Sequence, residues 1–353
     1  MASDYEAILV VSFGGPEKRE DVIPYLENVV RGRLVPRERL EQVAEHYYHF
    51  DGKSPINDQV RELVQALENE LAEHGPHLPV YWGNRHWHPF LRETLARMRG
   101  NGIRKALAFF TSAYSSYDGC RKYREDIERA REELGPGAPE VEKLRAFFNH
   151  PGFIEPMVEN VEAALDQFPA IFRDTVKLVF TAHSIPVAMA ATSQYVEQVT
   201  EASRLVAERI GLSWELVYQS RSGPPSQPWL EPDICDYLRE VARQRSAQNL
   251  VLVPIGFLSD HMEVIYDLDI QAQEVAQELG LKMVRAATVG VHPRFVRMIR
   301  ELILERLDAG APRLVLGKLP IGHDACPPDC CPCPVPGPAF GSGSPPGIRG
   351  RCG

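Results

Sequence analysis

No stretch of the sequence approaches the roughly 18 consecutive apolar residues of a membrane-spanning helix, so none is expected. Basic residues are not in excess either. The 39 Lys and Arg against 48 Asp and Glu give a formal net charge of −9, the opposite of a nucleic-acid-binding footprint. The opening MASDYEAILVVSFGG has no basic start and no long apolar run, so no secretory leader is expected and the cytoplasm is the expected location. Three loop signatures are missing too. Without G-x-G-x-x-G or a Walker A loop, dinucleotide and nucleoside triphosphate chemistry have no support. Without a G-x-S-x-G elbow, the Ser, His and Glu residues do not make a hydrolase. Cysteine is scarce until late in the chain. Cys120 and Cys235 stand alone, Cys326, Cys330, Cys331 and Cys333 crowd together, and Cys352 follows. In a reducing compartment such a cluster points to metal before disulfide.

What remains is a chain of 353 residues, 44% apolar, long enough for two domains with a sizeable core. Apolar, β-branched runs alternate with amphipathic ones. Strands are expected at 7–13, 78–83, 105–111, 141–147, 176–182, 214–219, 249–257 and 282–287. Between and around them helices are expected at 22–33, 58–74, 89–99, 122–134, 151–167, 193–210, 233–245, from Glu263 onward, and at 293–307. Such alternation indicates parallel sheets covered on both faces. The expected fold is α/β: two similar Rossmann-like, doubly wound, four-stranded domains at 1–150 and 151–318 with a cleft between them. A Cys/Pro-rich tail follows at 319–353, with Gly337–Gly353 expected to be disordered.

The chemistry sits where the strands end. Polar segments follow the strands as Ser12-Phe13-Gly14-Gly15, Thr111 to Ser116, Thr181-Ala182-His183-Ser184, Gln219 to Gly223, and Ser259-Asp260-His261-x-Glu263. In parallel sheets all of these lie on the carboxyl side, where open α/β sheets place their ligands. His183, between an apolar strand and a Ser-x-Pro turn, is suited to act as base or metal ligand near neutral pH. A histidine bonded only to nearby backbone is the competing reading. From Glu263 the acids and amides recur as Asp267, Gln271 and Glu274, one face of a regular helix at about 100° per residue. That stripe reads equally as a capped, solvated helix face.

These segments resemble the ferrochelatase family: SFGGP at 12–16, GKSPIN at 52–57, TSAYSSYDGC at 111–120, TAHSIP at 181–186, QSRSGPP at 219–225, PWLEP at 228–232 and PIGFLSDHMEVIYDLD at 254–269. They run in family order to about residue 310. The resemblance implies insertion of Fe²⁺ into a porphyrin with release of two protons, most closely in the bacterial branch that converts coproporphyrin III to coproheme. It implies His183 and Glu263 as the catalytic pair and metal ligands, with Asp267 continuing an acidic line along the metal path. Gln271 stands where some members have a further acid, and Phe13 where some have a metal-facing tyrosine; a phenylalanine cannot ligate. Phe13, Arg31, Tyr47, Ser54 and Tyr123 fall where that branch contacts the macrocycle and its propionates. A flat tetrapyrrole needs a wide apolar slot with cationic and hydroxyl donors at its rim, and these residue types supply them.

Alternatives stay open at this level: insertion into protoporphyrin IX, cobalt or nickel insertion into another tetrapyrrole, or a non-catalytic porphyrin or haem carrier. The expected partners are coproporphyrin III and Fe²⁺, with transient contact to neighbouring haem-pathway enzymes. The tail spacing Cys326-x₃-Cys330-Cys331-x-Cys333 suits thiolate ligation of Zn²⁺ or an iron–sulfur cluster, or else an unpaired tail. Some family members bind a [2Fe–2S] cluster with three tail cysteines and one from the first domain. The resemblance thereby implies Cys120 with Cys326, Cys330 and Cys331, and Cys333 as a further candidate.

Overall fold

The computed structural model describes residues 4–32, 35–223 and 226–333. The expected disorder of Gly337–Gly353, the end of the QSRSGPP motif and Arg33 fall outside them. The first half runs β1 (Ala7–Ser12), α1 (Val22–Val29), α2 (Arg37–Tyr48), α3 (Ile56–His74), β2 (Val80–Asn84), α4 (Leu91–Gly100), β3 (Lys105–Phe110), α5 (Lys122–Leu134) and β4 (Glu140–Lys143). The second half runs α6 (Pro151–Leu165), β5 (Lys177–His183), α7 (Val187–Ala190), α8 (Tyr195–Ile210), β6 (Trp214–Gln219), α9 (Ile234–Gln244) and β7 (Asn249–Val253). It ends with α10 (Met262–Ile265), α11 (Gln273–Glu278), β8 (Lys282–Arg285) and α12 (Pro293–Leu307). The eight strands form two all-parallel sheets of one topology, β2-β1-β3-β4 and β6-β5-β7-β8. The doubly wound expectation therefore holds.

Sequence dictates the sheet centres directly. β1 is buried at all six positions because helices cover both faces, so its run AILVVS needs no polar alternation. β7 stops at Val253 because Pro254 has no N–H for the ladder, which shortens the expected 249–257 strand. β4 likewise ends at Lys143. Leu144 still donates to the Ala108 carbonyl at 2.8 Å, and the chain then turns inward. Phe147 and Phe148 are buried off the sheet, Phe147 packing on Phe109, Phe153 and Phe295.

Three other features differ from the sequence expectation. Residues 37–48, read as connection and loop, form α2, whose charged surface leaves only Leu40 and Ala44 buried. α1 stops at Val29, short of the expected Arg33. The helix beginning near Glu263 is not regular. It is α10, a π-turn over Asp267–Ala272, then α11, and Gln271 N–H bonds the Tyr266 carbonyl five residues back at 3.0 Å. A π-turn changes the angular step after Asp267, so Gln271 does not continue the regular face that carries Glu263 and Asp267.

One apolar core runs through both halves. It joins Ile8, Val10, Leu107 and Phe109 of the first sheet to Leu178, Phe180, Val251 and Val253 of the second. α12 completes it by packing on α3 and on α6. Arg300 of α12 also donates to the Gly75 and His74 carbonyls at 2.6 and 2.7 Å, closing the end of α3. Among the described residues no helix is long and apolar enough to cross a membrane.

Candidate active site

In an open sheet of order 2-1-3-4 the strand order reverses between the first and third strands, and the crevice at their carboxyl ends is the natural ligand site. In the second sheet that position lies between β5 and β7. His183 is the last residue of β5, and Glu263 follows β7 by ten residues. Gly256 makes this possible. A Cβ there would lie 2.6 Å from the Ala182 Cα, so only glycine lets the exit of β7 cross so close to β5. α10 then begins behind His261, whose Nδ1 accepts the Glu263 N–H at 3.2 Å as an N-cap. Gln219, at the end of β6, donates to the Glu263 carbonyl.

The result brings the predicted pair together: His183 Nε2 lies 3.3 Å from Glu263 Oε1. The other ring nitrogen, Nδ1, lies against the Ser184 carbonyl. A carbonyl can only accept, so Nδ1 carries the hydrogen and Nε2 is the titrating nitrogen. Partial burial opposes charge on the ring, but Glu263 and the Ser184 carbonyl outweigh it and raise the pKa of His183. Burial likewise opposes charge on Glu263, and His183 outweighs it to hold the carboxyl well below its usual range. With 31% and 44% of their side chains exposed, the two form an ion pair open to solvent rather than a sealed one.

Asp267 stands behind them, on the π-turn. Ser220, in a left-handed conformation at φ 62°, donates to its Oδ2. Burial pushes the Asp267 carboxyl up to about 7, and the charge of Glu263 adds to this. The folded state thus holds a proton on Asp267 that the unfolded chain releases near pH 4. Ionised Asp267 costs stability as the pH rises from about 4 through 7. Asp267→Asn is therefore expected to raise stability on the order of 2–4 kcal/mol at pH 8 and hardly at all at pH 4. Urea titrations at the two pH values check this; equal effects at both would show that Asp267 is not a raised-pKa carboxyl. Gln271, the position after Asp267 in the expected line, is exposed.

The first half supplies an aromatic wall. Phe13 follows β1, with its ring centroid 4.4 Å from that of His86 and 6.5 Å from Tyr25. Tyr25 in turn meets Tyr47 at 5.8 Å and Trp87 at 6.3 Å. The charge of Glu263 adds to burial in raising the pKa values of Tyr25 and Tyr47. A stack of His46 on Tyr266, 3.9 Å between centroids, bridges the two sides.

The other predicted contacts are scattered. Arg31 is exposed just after α1 and bonds Asn28. Ser54 is buried, its N–H on the Pro16 carbonyl at 2.9 Å. Tyr123 is buried in α5 under the Arg85 guanidinium, which lies 4.3 Å from its ring centroid. Arg85 is sealed against Asp126, Nε to Oδ2 at 2.6 Å, with 2% and 4% of their side chains exposed. Removing the carboxylate strands a buried cation. Asp126→Ala is expected to destabilise the fold by about 3–5 kcal/mol in a denaturant titration. Less than about 1 kcal/mol would mean that Tyr123 alone suffices to hold Arg85.

Sequence reasoning misses Arg85, His86 and Trp87. They follow β2, so the strand-end rule that reaches His183 covers them too; reading the rule only at the ends of β1, β3, β5, β6 and β7 leaves them out. Tyr25 carries no such signal and emerges only from packing.

A second constellation joins the tail to the first half. Cys120 lies in a π-turn, Tyr117–Arg121, that leads into α5. Its thiol faces that of Cys326, and Cys330 Sγ lies 3.6 Å from Cys331 Sγ. The contact with Cys120 pulls the Cys326 thiol down, burial opposes this, and Lys143 and Arg124 add to it; Cys120 is pushed up. His323 adds a donor within 4.8 Å of Cys326 and Cys330. Cys333 is disulfide-bonded and packs at the edge of the core. Of the four thiols predicted as ligands, Cys326 and Cys330 share a 4.8 Å group with His323, and Cys331 adjoins Cys330.

Comparison with known proteins is consistent with this geometry. The family model described as Ferrochelatase matches residues 5–307. A "Ferrochelatase" of Rhodopirellula baltica is 54% identical over 328 residues, 93% of each chain. Proteins called "Coproporphyrin III ferrochelatase" in Streptomyces coelicolor and Nocardia farcinica are 50% and 52% identical, covering 96% and 92% of this chain and 96% of each relative. Among solved structures, "SirB from Bacillus subtilis with Fe3+" superposes with a TM-score of 0.53 at 11% identity. It covers 86% of this chain and 96% of that one, a likeness of fold alone.

Proposed function

The chain belongs to the ferrochelatase family, and we propose on that premise that it inserts Fe²⁺ into coproporphyrin III, releasing the two pyrrole protons and giving coproheme. The single observation that carries the site assignment is the His183–Glu263 pair, 3.3 Å apart at the switch point, with the Phe13–Tyr25–Tyr47 wall supplied by the first half. The macrocycle lies in the cleft against that wall. Arg31, exposed at its rim, meets a propionate, and Ser54 and Tyr123 support that rim from buried positions.

Metallation needs a cation delivered and two protons removed. Glu263 and Asp267 attract Fe²⁺, and His183 Nε2 faces the same space. Before iron arrives, Glu263 holds a proton on Nε2. A cation at Glu263 cancels that hold and frees Nε2 to ligate Fe²⁺ or to accept a pyrrole proton. Phe13 offers no oxygen, so iron is held from the His183 side.

The tail thiols fit a [2Fe–2S] cluster: Cys326 and Cys330 lie within 4.8 Å of one another, Cys331 Sγ is 3.6 Å from Cys330 Sγ and Cys120 faces Cys326, with Arg121, Arg124 and Lys143 offsetting thiolate charge. Cys120, Cys326, Cys330 and Cys331 would hold it, where it would pin the tail to the first half. A cytoplasmic location and passing contact with neighbouring haem-pathway enzymes complete the reading.

Anaerobic assays with Fe²⁺ and either coproporphyrin III or protoporphyrin IX test the substrate. At least tenfold higher kcat/KM for coproporphyrin III is expected. Equal or better turnover of protoporphyrin IX would overturn the branch assignment, and tight binding without turnover would turn the reading to a carrier.

A further inference from the structure

The turn that carries Glu263 is gripped from the opposite domain by one side chain. Gln59, in the first turn of α3, donates through Nε2 to the Asp260 carbonyl at 3.0 Å and accepts the Asp260 N–H on Oε1 at 2.8 Å. A carboxamide presents a donor and an acceptor side by side, so it pairs with one residue's backbone as a neighbouring strand would. The Asp260 carboxylate is committed as well, accepting from Arg285 Nη1 at 3.1 Å and Thr288 Oγ1 at 3.2 Å. Arg285 reaches on to grip Asp269 at both carboxylate oxygens. One residue beyond Asp260, His261 caps the Glu263 N–H.

The other end of this linkage is the loop that carries Phe13. Asn57 Nδ2 donates to the Gly15 carbonyl at 3.0 Å, and the Ser54 N–H donates to the Pro16 carbonyl at 2.9 Å. The first turn of α3 is thereby fixed to one wall of the cleft and, through Gln59, to the other. Gln59 itself lines a separate cavity behind the turn, with Pro55, Leu63, Leu258, Asp260 and Thr288, and not the cleft that holds His183 and Glu263.

We propose that Gln59 is a positioning residue for metal insertion: its paired hydrogen bonds to Asp260 set where Glu263 stands against His183 and how far both stand from Phe13. The proposal rests on the chelatase reading above. Its reach is catalytic rather than binding, because an ångström-scale misplacement of a reacting group costs on the order of 100-fold in rate.

Gln59→Met keeps the side-chain length and removes both hydrogen bonds. Its kcat for iron insertion is expected to fall about 10- to 100-fold, with KM for the porphyrin within about threefold of wild type. Hydrogen exchange of the 258–266 segment should rise, while the rest of the chain exchanges as before. Gln65→Met, on the exposed face of the same helix, should match wild type in both readouts. Should Gln59→Met fail to fold, Gln59→Glu, which keeps the acceptor and loses the donor, carries the same expectation. Wild-type kcat with unchanged exchange at 258–266 would overturn the proposal, as would a rise in KM with kcat intact. A wild-type protein that inserts no iron would refute the chelatase reading instead, and the exchange readout would still judge the grip on Asp260.

Discussion

His183→Ala is expected to lower the rate of iron insertion by about 10³-fold, within the range for loss of a positioned acid–base group, while coproporphyrin still binds. The reason is geometric. Nε2 of His183 has its proton affinity set by a carboxylate, Glu263 at 3.3 Å, closer than the 3.9 Å between His261 and the same carboxylate, while Nδ1 of His183 is occupied by the Ser184 carbonyl. On the proposed reading alanine removes both the proton acceptor and the metal donor, and it leaves Glu263 without the His183 counter-charge. Burial then pulls the Glu263 carboxyl back up, so the second anion weakens with the first base. Stopped-flow absorbance of the porphyrin follows the rate, and fluorescence of the bound macrocycle follows binding. A His183→Ala variant within tenfold of wild type would show that the chemistry runs elsewhere in the cleft.

The other large effect is all-or-none. Cys120 is the one member of the thiol constellation that comes from the first half, so Cys120→Ala should leave three thiols on the tail and none on the body. The expected result is loss of visible charge-transfer absorption and acid-labile sulfide from protein purified without oxygen, and faster proteolysis of the tail around Cys326–Cys331. Polar contacts made without metal remain near the cysteines, among them Arg121 to the Cys330 carbonyl at 3.2 Å, Lys143 to the His323 carbonyl, and Thr192 to the Pro332 carbonyl at 3.4 Å. Each is worth on the order of 1 kcal/mol, so faster cleavage rather than full release of the tail is expected. Wild-type protein without sulfide or non-substrate iron would remove the cluster from the reading. Zinc in its place would point to His323 and the tail thiols as a mononuclear site.

Much of the fold and of the site is legible in the chain. The central strands β1, β3, β5 and β7 are buried on both faces and written as apolar runs, the edge strands are read from their alternation with helices, and a parallel sheet then fixes which loops share an edge. That single inference puts His183 and Glu263 on a common edge from their sequence positions alone. The failures have physical causes. α2 hides its apolar face at Leu40 and Ala44 among charged residues, so its hydropathy reads as loop. The π-turn at Asp267–Ala272 is a change of backbone hydrogen-bond register, and side-chain periodicity carries no mark of it. The run 141–147 keeps apolar residues at Val141, Leu144, Ala146 and Phe147, but burial in a sheet and burial against Phe109 and Phe295 look alike in sequence. Gln59 gives no signal, because its partner is backbone 201 residues away.

The return of α12 onto α3 has a consequence for synthesis. The first half of this protein emerges from the ribosome complete in its strands but not in its core, since Phe295, Ile299, Leu302 and Ile303 arrive last and belong to the cluster that holds Ile8 and Phe109. Until about residue 307 has cleared the exit tunnel, the part of α3 that packs on α12 waits exposed to solvent. The nascent chain is therefore a natural client for a chaperone for most of its translation, and a stalled product lacking its last helix would be a sticky half-structure rather than a folded domain.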